Sequence, residues 1–373
     1  MKDLKSLRLK DREAKHLGLP VKSRNDKGYP KYKLSDEQVL DIKAFRNGGI
    51  LEIADKLEVD PSTVKHLWKK TKEESVFIKN PLFVTAEEKT YFDLRDVIIE
   101  DLKKFSPKFT KIKRTGENNE GHLLVVDPAD IHIGKLATAF ETNDPYNSQI
   151  AVKRVIEGVQ GLINKSRGFN IDKVLFIGGN DILHIDTPDR RTTSGTSQDT
   201  DGMWYENFLI AKQLYIDVLQ MLLPIADVHF CFNPSNHDYT NGFFLADVIQ
   251  TYFKDCKNMT FDCSIAHRKY YAYGKNLIMT THGDGAKQQD LGSLMSVEAK
   301  DLWAYAEHRY AYTHHIHHKT AKDFINITVE SLRSPSGADS WHHRKGYTGA
   351  PKAVEGFIHH RDFGQVARLT HIF

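Results

Sequence analysis

Cysteine is scarce. The 373-residue chain has three, Cys231, Cys256 and Cys263, with no CxxC spacing among them. An odd count in a chain of this length excludes a disulfide framework, so all three are expected as small buried side chains in a reducing compartment. Long apolar runs are missing too, and none approaches the roughly 18 residues that a membrane span needs. The opening residues, Met1-Lys2-Asp3-Leu4-Lys5, are charged where a signal peptide would turn apolar, so a cytoplasmic chain is expected. There is no internal repeat and no G-x-x-x-x-G-K-S/T loop. Neither charge dominates: 52 basic side chains stand against 49 acidic ones, a net of +3. With 40% hydrophobic and 27% charged residues the composition is that of a soluble globular protein, which excludes wholesale disorder, collagen and coiled coil. At about 150 residues per domain, the length suggests two or three domains.

What is present is unevenly spread. Residues 1–34 hold 11 Lys and Arg against 4 Asp and Glu, a net of +7, while only His16 and His66 of the 19 histidines precede residue 120. The front carries turn formers (Gly18, Pro20, Asn25, Gly28, Pro30) and is expected to be an extended arm with at most one short helix. Residues 35–70 suggest three short helices. Ser35 and Gln38 form a capping box, Asn47-Gly48-Gly49 ends that helix, and Asp60-Pro61 opens the third. The segment Glu52–Lys65 resembles a DNA-binding helix-turn-helix that would offer Ser62, Thr63, Lys65, His66 and Lys69 to a groove. A small helical docking module reads the same residues without nucleic acid. A helix at about 86–105 and a polar connector to residue 121 follow. The expected division is 1–75 (arm and helical module), 76–121 (helical linker) and 122–373.

From His122 onward, short β-rich runs alternate with helical stretches, at Leu123–Val126, about 147–166, Val174–Ile177, about 204–223 and Val228–Phe232. The runs Lys269–Ala272, Leu277–Thr281, Phe324–Val329 and Val366–Ile372 come later, with less helix between them. This is the pattern of an α/β domain. Five polar clusters fall just after strands: Asp130-Ile131-His132, Gly178-Gly179-Asn180-Asp181, Asn233-Pro234-Ser235-Asn236-His237-Asp238, Thr281-His282-Gly283-Asp284, and His314-His315-Ile316-His317-His318. Ligands of open α/β sheets bind beyond the strand carboxyl ends, so the five are expected to converge. Each cluster alone is common; five in one order are specific.

In that order they resemble the calcineurin-like metallophosphoesterases, whose signature runs D-x-H, G-D, G-N-H-D or E, a lone H, then G-H-x-H. The resemblance covers roughly residues 122–320. The runs Asn180–Asp186 and Thr192–Asp199 look like a bacteriophage and prophage branch of that superfamily, similar to the double-strand-break repair nucleases. The resemblance implies a β-sandwich flanked by helices (α/β/β/α), preceded here by the small all-α module. It also implies a dinuclear site: Asp130, His132 and His317 on one divalent ion, Asn236, His282 and His315 on the other, Asp181 bridging. His237 would protonate the leaving oxygen, oriented by Asp238. Imidazole with carboxylate suits Mn2+, with Fe or Zn2+ as alternatives. Three glycines of the signature are replaced, by Asn180, Ser235 and His314. The turns there are therefore expected to differ, and the ligand set to survive.

The implied function is a metal-dependent phosphodiesterase that cuts DNA, as exonuclease or endonuclease, in a phage-infected bacterial cytoplasm. DNA is the expected partner, a homodimer is possible on sequence grounds, and any ATPase would be a separate chain. A phosphatase or small-molecule phosphodiesterase is the first alternative, since such a centre does not name its substrate. A DNA-binding regulator with a secondary metal domain is the second. Arg190 and Arg191, in the long loop after the bridging aspartate, are expected either to contact substrate or to belong to an unstructured insert. His184 and Asp186 read equally as support for the site or as loop residues, and His314 and His318 as outer or exposed residues, with extra metal ligands as the alternative. His342-His343 and His359-His360 read as surface pairs. Arg333, Trp341, Arg344, Lys345 and Tyr347 would suit stacking on single strands or a solvated loop.

Overall fold

Strand β3 (His122–Asp127) sends alternate side chains to opposite faces, and that alternation builds the layers. In the computed structural model, which describes residues 6–8, 17–18, 31–33, 95–100, 107–114, 120–346 and 349–373, Leu124 and Val126 enter one core and Leu123 and Val125 another. Strand β4 (Ile171–Gly179) repeats the pattern, with Val174 and Phe176 on the first side and Leu175 and Ile177 on the second.

The chain divides into two compact units, Met1–Thr90 and Tyr91–Phe373. In the first, β1 (Ser6–Arg8) pairs antiparallel with β2 (Lys31–Lys33), so the expected arm folds back on itself over these residues. The helix-turn-helix-like segment, with Ser62, Thr63, Lys65, His66 and Lys69, lies outside the described residues. In the second unit, residues 95–100 are helical, within the helix expected there. After β3 come α1 (Ala139–Thr142), α2 (Ser148–Lys165), β4, α3 (Trp204–Leu222) and β5 (Asp227–Asn233). Next are α4 (Tyr239–Tyr252), β6 (Met259–Asp262), β7 (Arg268–Tyr273), β8 (Asn276–Thr281), α5 (Leu291–Glu298), α6 (Lys300–Tyr305) and β9 (His308–Thr313). The chain finishes with β10 (Thr320–Phe324), β11 (Ile327–Ser331), α7 (Ser340–Arg344), β12 (Ala353–His360) and β13 (Gly364–Ile372).

One sheet has the order β13-β12-β3-β4-β5-β6, with β3 to β6 parallel; the other has the order β10-β11-β9-β8-β7, with β8, β9 and β11 parallel. Leu123, Val125, Leu175, Ile177 and Cys231 of the first meet Tyr273, Ile278 and Tyr312 of the second between the sheets. Helices α2, α3 and α4 cover the outer face of the first sheet through Val155, Val159, Leu162, Phe208, Leu214, Val218, Leu245 and Ile249. Leu291 and Met295 of α5 cover the second, against Leu277, Met279 and Ala311. The architecture is the α/β/β/α sandwich implied by the signature. No described helix is long and apolar enough to cross a membrane.

Four features differ from, or add to, what the sequence suggested. The run Phe324–Val329 is two strands, because Asn326 takes a left-handed φ of 62° and turns the chain. The polar connector is anchored over residues 107–114, where Arg114 donates to Asp227 at 2.8 Å and Ile112 N–H to Asn258 Oδ1 at 2.8 Å. Helix α4 was not foreseen: Asn241 and Gly242 weaken its first turn, and its N-terminal N–H groups, on Thr240 and Asn241, are capped from afar by Asp186 at 2.8–3.1 Å. Strand β12 was hidden by its polar residues, although all eight are buried.

His359 and His360 are thus interior rather than surface. His359 packs between the sheets with Nε2 2.7 Å from Tyr312 Oη and Nδ1 3.4 Å from Asn276 Oδ1, and burial pushes its pKa down from 6.5 to about 3. The folded protein therefore binds fewer protons here than the unfolded chain between those pH values. The stability is complete above about 6.5 and declines as pH falls toward 3, by at most about 5 kcal/mol. His359→Gln is expected to lower the denaturant midpoint at pH 7 yet lose less stability than wild type on going to pH 4. Parallel losses in the two proteins would remove His359 as an acid-sensitive group.

Candidate metal centre

The carboxyl ends of β3, β4 and β5 lie side by side in one sheet, and those of β8 and β9 in the other. The loops leaving these five ends carry the five clusters, and the side chains meet. His132 Nε2 is 3.2 Å from His317 Nε2, which lies 3.6 Å from Asp130 Oδ1. His282 Nε2 is 3.2 Å from Asp181 Oδ2, 2.8 Å from Asn236 Oδ1 and 3.2 Å from His315 Nδ1. In the trios Asp130–His132–His317 and Asp181–His282–His315 the donor atoms lie within 4.8 Å of one another. The His315 N–H joins the trios, reaching the Asp130 carboxylate at 3.1 Å.

The backbone under these residues is held in an uncommon state. Among the described residues nine other than glycine have positive φ, and six of them are Asp130, His132, Asn180, Asp181, His315 and His317, at 51–71°. Left-handed residues of this kind cost about 1 kcal/mol or more each and persist where surrounding contacts impose them, often at functional sites. At Gly179 (φ 78°) a Cβ would meet Asn233 O at 2.1 Å, so only glycine fits, and its N–H donates to Tyr215 Oη of α3 at 2.8 Å.

The three glycine replacements resolve separately. Asn180 adopts φ 51°, which Asn tolerates better than most residues. Ser235 needs no such φ; its Oγ accepts the Asp181 N–H at 2.7 Å and its O–H donates to Asp238 Oδ1 at 2.7 Å. His314 is buried, its Nε2 2.9 Å from Asp127 Oδ2 and its Nδ1 2.9 Å from Thr281 O.

The donor set fits divalent cations. Burial pushes His132 and His317 well below the usual imidazole pKa and His315 below it, which keeps lone pairs available. Burial opposes charge on His282 as well, but Asp181 and Asp130 carry it up to about 9. Burial alone would raise Asp181, yet His282 and His237 outweigh it and hold the carboxyl below its ordinary range. Asp130 is pushed up to about 7 by burial. His282 Nδ1 and both amide atoms of Asn180 are buried without a hydrogen-bond partner among the described residues. These atoms are not the trios' donors, since His282 faces Asp181, Asn236 and His315 through Nε2; an ordered water is the usual partner of such buried polar atoms.

His237 lies beside Asn236, with its N–H donating to Asp181 Oδ1 at 2.9 Å. Its Nδ1 is 2.9 Å from the His184 carbonyl, which can only accept, so Nδ1 donates. Asp238 does not orient this ring. Its Oδ1 takes the Ser235 hydroxyl and its Oδ2 the Leu183 N–H at 2.8 Å, so it braces the β4 and β5 loops from beneath. His184 supports the site twice, since its Nδ1 is also 3.3 Å from His132 Nδ1. Together with His237 these two make a third trio within 4.8 Å. His318 is exposed and bonded to its own loop at Ile316 O.

The loop holding Arg190 and Arg191 is ordered by its own backbone: Asp186 N–H donates to Arg191 O at 2.8 Å and Gln198 N–H to Arg190 O at 2.9 Å. Both arginines are exposed, and neither hydrogen-bonds to the two trios. Arg333 is tied to buried Glu355 at 2.8 Å, which removes it from the stacking set. A further set went unforeseen. The His342 ring stacks on His317 at 5.1 Å, its Nδ1 is 2.7 Å from Asp339 Oδ1, and Asp339 Oδ2 is 3.0 Å from the wholly buried Lys135. The Asp339-x-x-His342 spacing at the start of α7 was the available signal; His343 is exposed as expected.

No family model matches the sequence, and no curated protein does. Over 68% of the chain the structure is similar to a novel archaeal phosphodiesterase, at 7% identity and TM-score 0.32 over 99% of that chain. It is similar to zinc-complexed Vps29 from Entamoeba histolytica, at 9% identity and TM-score 0.31 over 98% of that chain. It is also similar to a putative 5'-nucleotidase from Staphylococcus aureus, at 11% identity and TM-score 0.33 over 54% of that chain. What the chain does with its fold is read from its own residues.

Proposed function

We propose that the second unit is a metal-dependent phosphodiesterase and that its substrate is DNA, cut as an exonuclease or endonuclease in phage DNA repair, recombination or degradation. The observation that carries the reading is Asp181, one buried carboxylate that touches His282 and acts electrostatically on Asp130 and His317. Two divalent ions, Mn2+ first, would be held by Asp130, His132 and His317 and by Asn236, His282 and His315 with Asp181 shared, and when bound they supply phosphoryl polarisation and an acidified water. The chain's own groups then place and protonate. Asp181 accepts the His237 N–H and keeps that histidine on the substrate side. The His184 carbonyl fixes the ring by accepting from Nδ1, so that the ring, when it carries a proton on both nitrogens, can hand the Nε2 proton to the departing oxygen and return to its Nδ1–H form.

Support for DNA over a small ester comes from the basic front of the chain, net +7 over residues 1–34, and from the helix-turn-helix-like segment behind it. With Mn2+, the purified protein is expected to cut at least one of linear duplex, single-stranded and circular DNA. Hydrolysis of p-nitrophenyl esters with every DNA left whole would favour the small-molecule reading. Deleting residues 1–75 removes 18 basic and 13 acidic side chains. The truncated protein is expected to keep its activity on a small phosphodiester while its DNA affinity drops. The affinity-versus-salt slope should flatten by about one unit for each phosphate that the protein no longer neutralises. An unchanged slope would make the N-terminal region a protein-docking element.

A further inference from the structure

The signature places a glycine immediately before its H-x-H, and this chain has His314 there, opposite an aspartate that no motif covers. Asp127 is the last residue of β3, in the first sheet; His314 directly follows β9, in the second. Both side chains are fully buried, and the ring nitrogen Nε2 lies 3.0 and 2.9 Å from the two carboxylate oxygens. The other ring nitrogen donates to the carbonyl of Thr281, the last residue of β8, at 2.9 Å. One imidazole therefore joins three strand ends across the two sheets.

Each of those strand ends carries part of the metal centre. Three residues past Asp127 is Asp130, next to Thr281 is His282, and next to His314 is His315. The backbone is drawn in with them: His314 N–H donates to His282 O at 2.8 Å, and a Cβ at Gly283 would lie 3.3 Å from His314 O. Residues 313–315 are thus packed closely against the His282 loop. Neither Asp127 nor His314 belongs to either donor trio. A glycine at 314 could supply none of the side-chain bonds.

We propose that Asp127 and His314 form an inter-sheet clasp whose role is to set the separation of the two halves of the metal centre, His282 and His315 against Asp130 and His132. The pair acts on the centre only through the residues it holds, so both are positioning residues. This rests on the metal-dependent reading above. A buried acid–imidazole pair also stabilises the fold, and losing one partner is costly in general. The clasp makes a narrower claim: its loss alters the centre by more than loss of stability alone would.

The test uses full-length protein with Co2+ as the probe, since its visible absorption reports ligand number and geometry. Asp127→Asn weakens one end of the clasp. His314→Gln weakens the other, because a single amide cannot span both acceptors as the ring does. His359→Gln is the matched control: it cuts a buried bond from β9 to β12, also between the sheets, at residues outside every cluster. Thermal midpoints place the three variants on one stability scale. Both clasp variants are expected to bind Co2+ at least about tenfold more weakly and to shift its absorption bands, while His359→Gln keeps wild-type affinity and bands at equal or greater destabilisation. Wild-type affinity and spectrum in both clasp variants would overturn the proposal. So would equal losses in the control, or failure of both clasp variants to fold, which would make the pair structural only. If wild-type protein takes up no Co2+ at all, it is the metal-dependent reading that fails.

Discussion

Asp181→Asn and Asp181→Ala should both leave the protein with fewer than two divalent ions per chain and at least about 10³-fold less active, a loss of about 4 kcal/mol of transition-state stabilisation. The expectation follows from position. Asp181 Oδ2 contacts His282, Oδ1 accepts the His237 N–H, and the carboxylate acts on Asp130 and His317. Asparagine preserves the shape and the acceptor oxygen but not the charge, so it separates the electrostatic role from the packing role. Metal analysis is the check. Two ions per chain in the Asn variant would remove Asp181 from its shared position, whatever became of the activity.

For His237→Ala a different profile is expected: metal content and DNA affinity retained, rate reduced by about 10²–10⁴, the usual worth of a positioned general acid. The ring donates from Nδ1 to the His184 carbonyl and its Nε2 hydrogen-bonds to nothing among the described residues, so it can serve a substrate atom. The loss should shrink on a p-nitrophenyl ester, whose leaving group departs without a proton. Because His237 also falls within 4.8 Å of His132 and His184, a ligand role is the competing account. Loss of an ion, or equal loss on both substrates, would favour that account over proton transfer.

How much of this could be read from the sequence depended on whether the information was local. Strands β3, β4, β5 and β8 were legible because burial on both faces makes their apolar residues run almost without a break, and the convergence of five clusters followed from the parallel order of the strands that bear them. Helix α4 was not legible, since its cap is Asp186, more than 50 residues upstream, and its own first turn holds Asn241 and Gly242. Strand β12 was obscured for a related reason. Its Glu355 is buried but neutralised by Arg333 and Arg368, partners that appear only once the sheet is assembled. In the site, the residue types were visible and their supports were not. Asp238 sits next to His237 in sequence, yet it turns to Ser235 and Leu183, while the group that holds the His237 ring is the carbonyl of His184. Adjacency along the chain suggested the wrong partner because the loop after β4 supplies both the Leu183 N–H that Asp238 accepts and the His184 carbonyl that the His237 ring reaches.

The central claim, that Asp181 lies between two ions, is tested most directly by anomalous diffraction from crystals soaked in Mn2+. Two peaks are expected, one among Asp130, His132 and His317 and one among Asn236, His282 and His315, both within coordination distance of the Asp181 carboxylate. A single peak in the His132–His184–His237 trio, or none at saturating Mn2+, would contradict it.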